Sequence, residues 1–521
     1  MRVDPPFDAW GSPPLLTLAC LAALSVSAWQ VQAALPLNHD VGWLLLGAHR
    51  VLEAGRLSAD RFVDVTPPLI LGLYALPVAA SRALGVSEIG ALRIFVIGLA
   101  AGSLGLCQLA ASRLFSGEPS ALVRAWLVAV AIVLLPLVGY DFGQREHLIT
   151  LLLLPYLVDA AARAHAGGPP RSVAAWIGAA AGLAIGMKPQ YALVALAVEG
   201  IVWRARRRWQ AVVSTELGML AGTVALSAAW TAWLAPDYLR VTLPLVWETY
   251  GAYHSPLREL VRWFDLPLAG ALILIASLLP RGGAPRDLAR TLAAAAAAAY
   301  AAYLAAGTDW DYHRYPFGVF AIATLALPLL RPLSRGPVVI VLVIAVTAAS
   351  LFVAPLELRA TRRPGQEWPG WSQGAATAEI LRVVEGRGRG GSIFLFSSSV
   401  APAFPALNYA GVEWASRFSC LWLLPAVIRA RAQPEGAIPE ARRQRLDAVG
   451  RYLVAAVTED LARAQPELVF VPRAQQHQAF GAIDFDLLAF FEHDPRFAKL
   501  WSGYAPLEDT PLFRVYVLRQ P

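Results

Sequence analysis

Apolar runs of about twenty residues recur along this chain from Pro13 to Ala354, and then they stop. A helix of about 20 residues crosses the hydrocarbon core of a bilayer, satisfying its own backbone hydrogen bonds where no water is present. With 57% hydrophobic and only 16% charged residues in 521, the chain lacks the polar surface a soluble protein of that length needs. It reads as a polytopic α-helical membrane protein. Spans are predicted near 13–35, 89–112, 121–139, 148–162, 172–187, 190–203, 211–235, 266–280, 288–306, 315–330 and 337–354, about eleven in all. The first reads as a retained span, with cleavage after Ala33 as the alternative. The division expected is a transmembrane region, 1–355, and a soluble domain, 356–521.

Residues 67–85 decide the topology. "PPLILGLYALPVAASRALG" is apolar but short, opens on two prolines and holds Pro77 inside. If it lies along the interface, the loops carrying Arg113/Arg124, Arg163/Arg171, Arg204 to Arg208, Arg281/Arg286/Arg290 and Arg331/Arg335 share one side. That is the positive-inside pattern, so this side is cytoplasmic and the C-terminal domain lies outside. The same pattern accounts for the net charge of +7 without nucleic acid, for which no binding motif is present. Cys20 and Cys107 lie in apolar runs and Cys420 stands alone, so no disulfide framework is expected.

The opposite loops gather most of the acids and histidines: His39, Asp40, Asp60, Asp64, Asp141, Glu146, His147, Glu248, His254, Asp309, Asp311 and His313. Ionisable groups at membrane depth are costly and point to function. After "NHD", residues 41–54 have the apolar spacing of an interfacial helix. Asn38 or Asp40 is placed to cap it. The competing reading of Asp40 is a general base at the membrane surface. Trp43, Trp247, Trp310, Tyr250 and Tyr253 read mainly as an interfacial aromatic belt.

An Asp directly after the first span, followed by a segment ending in "PPL", resembles the GT-C glycosyltransferases. The resemblance is to the branch with the lipid A aminoarabinose transferases and protein O-mannosyltransferases. "GLAIGMKPQYAL" at 182–193, "PDYLRVTLPLVWETYGAY" at 236–253 and "YHRYPFGVFAIATLALPLL" at 312–330 extend it along the membrane region. The chain departs from the pattern at Thr66, where some members have Lys, and at His39-Asp40, where many have two acids. The resemblance implies a GT-C-like fold and transfer of a sugar from a polyprenyl-phosphate lipid to a glycolipid, polysaccharide or protein of the bacterial envelope. It implies Asp40 as the catalytic carboxylate. A leaving phosphate needs fixed cations, and Arg145, Lys188 and Arg314 fall on the same side. Asp141, Glu146 and His147 are read either as a brace around Arg145 or, with Asp40, as ligands of a divalent metal ion. Asp309, Asp311, Tyr312 and His313, like His39, are read as cavity residues.

Two other classes compete. A flippase of lipid-linked sugars needs charges through the membrane centre and usually internal repeats, and no repeat is visible. A polymerase or ligase using a diphosphate-linked donor is disfavoured by the long first loop and the C-terminal domain. In that domain 392–399, 467–472 and 512–518 read as strands, with helices near 374–385, 439–464 and 484–492, hence an α/β layer. "GRGRGG" at 386–391 precedes a strand instead of following one, so it is no dinucleotide loop. The apolar segment 413–430 is expected to rest on the membrane or roof the cavity.

Overall fold

The computed structural model describes residues 13–115, 120–165, 171–207, 213–278, 283–333, 343–347, 373–387, 391–473, 480, 483 and 485–519. Helices run in the order α1 (Pro13–Ala34), α2 (His39–Ala54), α3 (Leu69–Leu84), α4 (Glu88–Leu114), α5 (Ser120–Leu134), α6 (Arg145–His165), α7 (Arg171–Met187), α8 (Ala192–Arg206) and α9 (Thr215–Leu234). They continue as α10 (Leu243–Thr249), α11 (Leu257–Leu260), α12 (Asp265–Leu278), α13 (Ala284–Ala306) and α14 (Tyr315–Leu333). The remainder holds α15 (Gln373–Glu385), α16 (Ala403–Ala410), α17 (Leu424–Arg431), α18 (Glu440–Ala464), α19 (Leu487–Glu492) and α20 (Pro495–Trp501). Among the described residues, six helices are long and apolar enough to cross a membrane. Each predicted span up to residue 330 holds a helix within its described residues, several of them shorter than a full crossing. Of the segment at 337–354 only residues 343–347 are described, as helix, and the rest lies outside the described residues.

The chain forms two compact units. The first holds residues 1–36, 86–227 and 256–358. Its centre is α6, which packs against α4, α7, α8, α13 and α14. Nearly all of α6 is buried, so the predicted span 148–162 is the middle of a longer core helix that begins at the charged Arg145. The span predicted at 121–139 stops short. The α5 helix ends at Leu134, and Pro136 opens a 3₁₀ segment to Asp141 with Gly139 at φ +59°. Proline removes a donor and disfavours helical backbone before it, and glycine alone adopts that turn without strain.

The second unit gathers residues 37–85, 228–255 and 359–521. Its five-stranded sheet has the order β2 (Glu413–Trp414), β1 (Ser392–Leu395), β3 (Leu468–Pro472), β5 (Phe513–Leu518) and β4 (Tyr504–Asp509). The pairs β1–β2 and β1–β3 are parallel, and β3–β5 and β4–β5 antiparallel. The segment 413–430 is not a surface face. Phe418, Leu421, Trp422, Leu423, Leu424 and Val427 are core residues packed with Phe394, Phe396 and Val469. Their apolar character fills an α/β core and does not meet lipid.

The first loop is built into this unit. Val63 bridges to Phe418, with its N–H donating to the Arg417 carbonyl at 2.8 Å. Arg50 on α2 donates to the carbonyls of Arg61, Trp414 (3.4 Å) and Ser416 (3.1 Å). Helix α2 approaches α16 so closely that a Cβ on Gly42 would run into Asn408 Oδ1.

Candidate functional site

Asn38 caps α2, and Asp40 does not. The Asn38 Oδ1 accepts from the N–H groups of Asp40 (2.9 Å) and Val41 (3.4 Å). Asp40 therefore sits in the first turn of α2, where a carboxylate is favoured by the helix dipole. It is nearly buried, with His39 Nε2 at 3.7 Å. One turn on, Trp43 is buried and stacked on Phe62 at 4.5 Å, so it belongs to the core of this unit and not to an aromatic belt. Its Nε1 donates to Asp64 Oδ1 at 3.2 Å, and Asp64 Oδ2 accepts from the Thr66 hydroxyl at 2.7 Å. The expected belt residue Trp247 is 86% exposed, whereas Tyr253 donates to the Trp422 carbonyl at 3.2 Å.

In the first unit, the opening of α6 is a tight assembly. Gly139 and Gly143 carry positive φ, and Gln144 Oε1 accepts from the Glu146 N–H at 3.0 Å. His147 Nδ1 accepts from the Gly143 N–H at 3.1 Å, so Nε2 carries the proton and donates to the Leu134 carbonyl at 2.9 Å. Both nitrogens are engaged by backbone, and His147 is a brace of this loop.

Glu146 meets Lys188. The proline after Lys188 holds it in extended backbone at the end of α7, with φ −143° and ψ 98°. Its Nζ then donates to Glu146 Oε1 and, at 3.2 Å, to His313 Nε2. His313 Nδ1 must therefore carry the proton, which it gives to the Thr308 hydroxyl at 2.8 Å. The 3.4 Å approach of His313 Nε2 to Glu146 is thus no ion pair, because Nε2 is an acceptor. All three groups are buried, and Glu146 Oε2 has no hydrogen-bond partner among the described residues. Lys188 also lies 5.7 Å from the Tyr312 ring, and Arg145 lies within electrostatic range of His313.

Arg314 is held apart from these. It pairs with Asp265, donates to the Leu260 carbonyl at 3.1 Å and lies over the Phe264 and Tyr303 rings, each at 5.2 Å. The Asp265 carboxylate also accepts from Tyr300 Oη at 2.7 Å. Pairing of Arg314 with Asp309 or Asp311 does not occur. Asp311 instead meets Arg262 at 3.2 Å on the surface, and Asp309 is half-buried. Glu146 is taken by Lys188, and among the described residues no group of three or more His, Cys, Asp and Glu is placed to hold a metal ion. Asp141 closes the 3₁₀ segment, where its carbonyl accepts from the Gln144 N–H at 3.0 Å.

Sequence reasoning passed over Asp265 and Tyr300, and the pairing of Asp64 with Trp43. Nothing in the local spacing of these residues reports a partner in another segment.

These features define a multi-pass membrane protein with a helical core, a first loop carrying a buried carboxylate and a C-terminal α/β layer. The chain is similar to the crystal structure of ArnT from Cupriavidus metallidurans bound to undecaprenyl phosphate. The two share 14% identity with a TM-score of 0.53, over 98% of this chain and 100% of that one. No protein-family model and no curated protein matches the sequence.

Proposed function

We propose that this chain is a membrane glycosyltransferase that moves a sugar from a polyprenyl-phosphate donor to an acceptor hydroxyl of the cell envelope, outside the cytoplasm. One observation carries the reading. The fold corresponds along almost the whole chain to ArnT, a protein held in that structure with undecaprenyl phosphate. Asp40 is the base. Its carboxylate takes the proton of the acceptor hydroxyl, whose oxygen bonds to the anomeric carbon. The bond from that carbon to the phosphate oxygen breaks, and polyprenyl phosphate leaves with the electron pair. The part of Asp40 as base is supported by its place in α2, where Asn38 does the capping. Lys188 and Arg145 are assigned to the leaving phosphate, whose growing charge fixed cations stabilise. Asp265 fixes the Arg314 guanidinium, which gives Arg314 a positioning part in the same cation set. His39, Asp141, Asp309, Asp311, Tyr312 and His313 are assigned to the walls, with Glu146 as the resident counter-ion of Lys188.

The test is transfer of labelled sugar from undecaprenyl-phosphate donors by the purified protein in nanodiscs. Asp40→Asn is expected to lose about 10²- to 10⁴-fold in rate, the usual worth of a positioned general base. Turnover at the wild-type rate would remove Asp40 from the mechanism.

A further inference from the structure

Within the second unit, helix α16 grips the turn that carries Asp40 from both sides. Tyr409, near the end of α16, accepts the Leu37 N–H on its hydroxyl oxygen at 2.6 Å. Its neighbour Asn408 donates from Nδ2 to the Gly42 carbonyl at 3.2 Å. Phe404, near the start of α16, meets the Trp43 ring in a T-shaped contact at 5.6 Å. Residues 37, 42 and 43 bracket Asn38, the cap, and Asp40, the proposed base.

The contacts differ in kind. Phe404 and Trp43 bury apolar area, as aromatic pairs do in any core. The two hydrogen bonds fix backbone. The Leu37 N–H lies before the cap, outside the α2 ladder, so Tyr409 holds the strand of chain on which Asn38 stands. Asn408 makes its bond against a penalty. Its Oδ1 is buried and has no hydrogen-bond partner among the described residues, and a buried oxygen left unpaired is disfavoured. A leucine fills the same space without that penalty, so what the amide contributes is its donor. The far end of α2 is tied to the chain that follows α16. Beyond Gly411, which ends α16 at φ +65°, Trp414 and Ser416 present the carbonyls that receive Arg50. From Asp40 to Arg50 the helix runs about 15 Å, and it is bound at both ends. A general base works only while its carboxylate stays in hydrogen-bond reach of the hydroxyl, and a displacement of about 1 Å can cost roughly 10²-fold in rate.

We infer that Asn408 and Tyr409 are positioning residues for the base: they hold the first turn of α2 so that Asp40 meets the acceptor hydroxyl. This role rests on the transferase reading. The C-terminal part of the chain then takes part in the reaction without touching the reacting atoms.

Tyr409→Phe keeps the ring and removes the accepting oxygen, and Asn408→Leu keeps the volume and removes the donor. In nanodiscs with undecaprenyl-phosphate donors, each is expected to lower kcat about tenfold and to leave KM within about twofold, because a base acts in the transition state and not in ground-state binding. In an Asp40→Asn background the same changes are expected to cost less than about twofold, since no base is left to position. A purely structural role loses the same factor in both backgrounds, through a smaller folded fraction, and that result overturns the inference. A raised KM at unchanged kcat also overturns it, by placing these side chains on a substrate. Hydrogen exchange of the peptide covering 37–43, followed by mass spectrometry, reads the clamp without activity. Faster exchange there, with β1 and β3 unchanged, is expected in both variants, and wild-type protection overturns the clamp. Asp40→Asn turning over at the wild-type rate removes the base and the positioning role with it. Slow Asp40→Asn beside wild-type rates for Tyr409→Phe and Asn408→Leu sinks the positioning role alone and leaves the transferase standing. A protein that transfers no sugar fails the transferase reading; faster exchange of 37–43 in both variants then keeps the clamp, and wild-type exchange removes it too.

Discussion

What a buried ionisable side chain does depends on its partners, which lie far off in sequence. His147 and His313 looked equivalent as residues of charged loops. One is a backbone brace, and the other accepts from Lys188 across a separation of 125 residues. The sequence flagged Glu146 and Lys188 separately, since each is costly at membrane depth, but only packing pairs them. Removing one partner of a buried pair leaves an uncompensated charge. Lys188→Met is therefore expected to cost about 3–5 kcal/mol, and the double change with Glu146→Leu to recover most of it. Thermal unfolding in nanodiscs checks this, and equal loss in the single and double variants would refute the pairing. Cys420 supplies a second case. Burial, with Asp40 and Asp64 adding to it, pushes its thiol up from 9.0 to about 12. A raised folded value stabilises the fold fully below the unfolded pKa, and the gain is lost as pH climbs from about 9 toward 12. Between those limits stability should fall by up to ~1.4 kcal/mol per pH unit in the wild type, a slope that Cys420→Ala lacks. Denaturant titrations at pH 8 to 10.5 decide it. The same slope in both proteins would assign the loss to other groups.

At the scale of elements, periodicity and apolar length located most helices, because both report burial. They were poor at ends and at context. The charges at the start of α6 read as loop, yet they form its buried first turn, paid for by Gln144 and Lys188. The strand β4 was missed, as "YAPLED" contains a proline and two acids; it is an edge strand with a register shift, where both are tolerated. Segment 413–430 misled because apolar composition alone does not distinguish a lipid face from an α/β core. The approach of α2 to α16 was also illegible, although Gly42 permits it. Gly42→Ala would drive Asn408 from its 3.2 Å bond to the Gly42 carbonyl, at an expected cost of about 0.5–1.5 kcal/mol. With Asn408→Ala as background the same change should cost little, by the logic of a double-mutant cycle. Additive losses would show that the two residues do not meet.

For the whole molecule, the loop charges and the assembly of the second unit make independent statements about topology. The charges predict, by the positive-inside rule, which side is cytoplasmic. The unit draws together residues 37–85, 228–255 and 359–521, and on the proposal that it folds outside the bilayer all its parts lie on one side. Between Gly85 and Ala228 the chain forms α4 to α9, an even number of passes if each one crosses, which returns it to the side it left. Were α3 a further crossing, residues 37–68 would lie across the membrane from the C-terminal domain, and the bond from Val63 to Arg417 could not form. Single cysteines in an otherwise cysteine-free chain test both statements together. Ala54→Cys and Ala437→Cys, both exposed in the second unit, are expected to react with a membrane-impermeant maleimide in intact cells. Ala205→Cys, exposed beside the Arg204–Arg208 cluster, should react only after permeabilisation. Labelling of Ala54 and Ala437 from opposite sides would refute the shared unit. Labelling of all three in the reverse sense would keep the unit but turn it inward, removing Asp40 from any acceptor outside the cell.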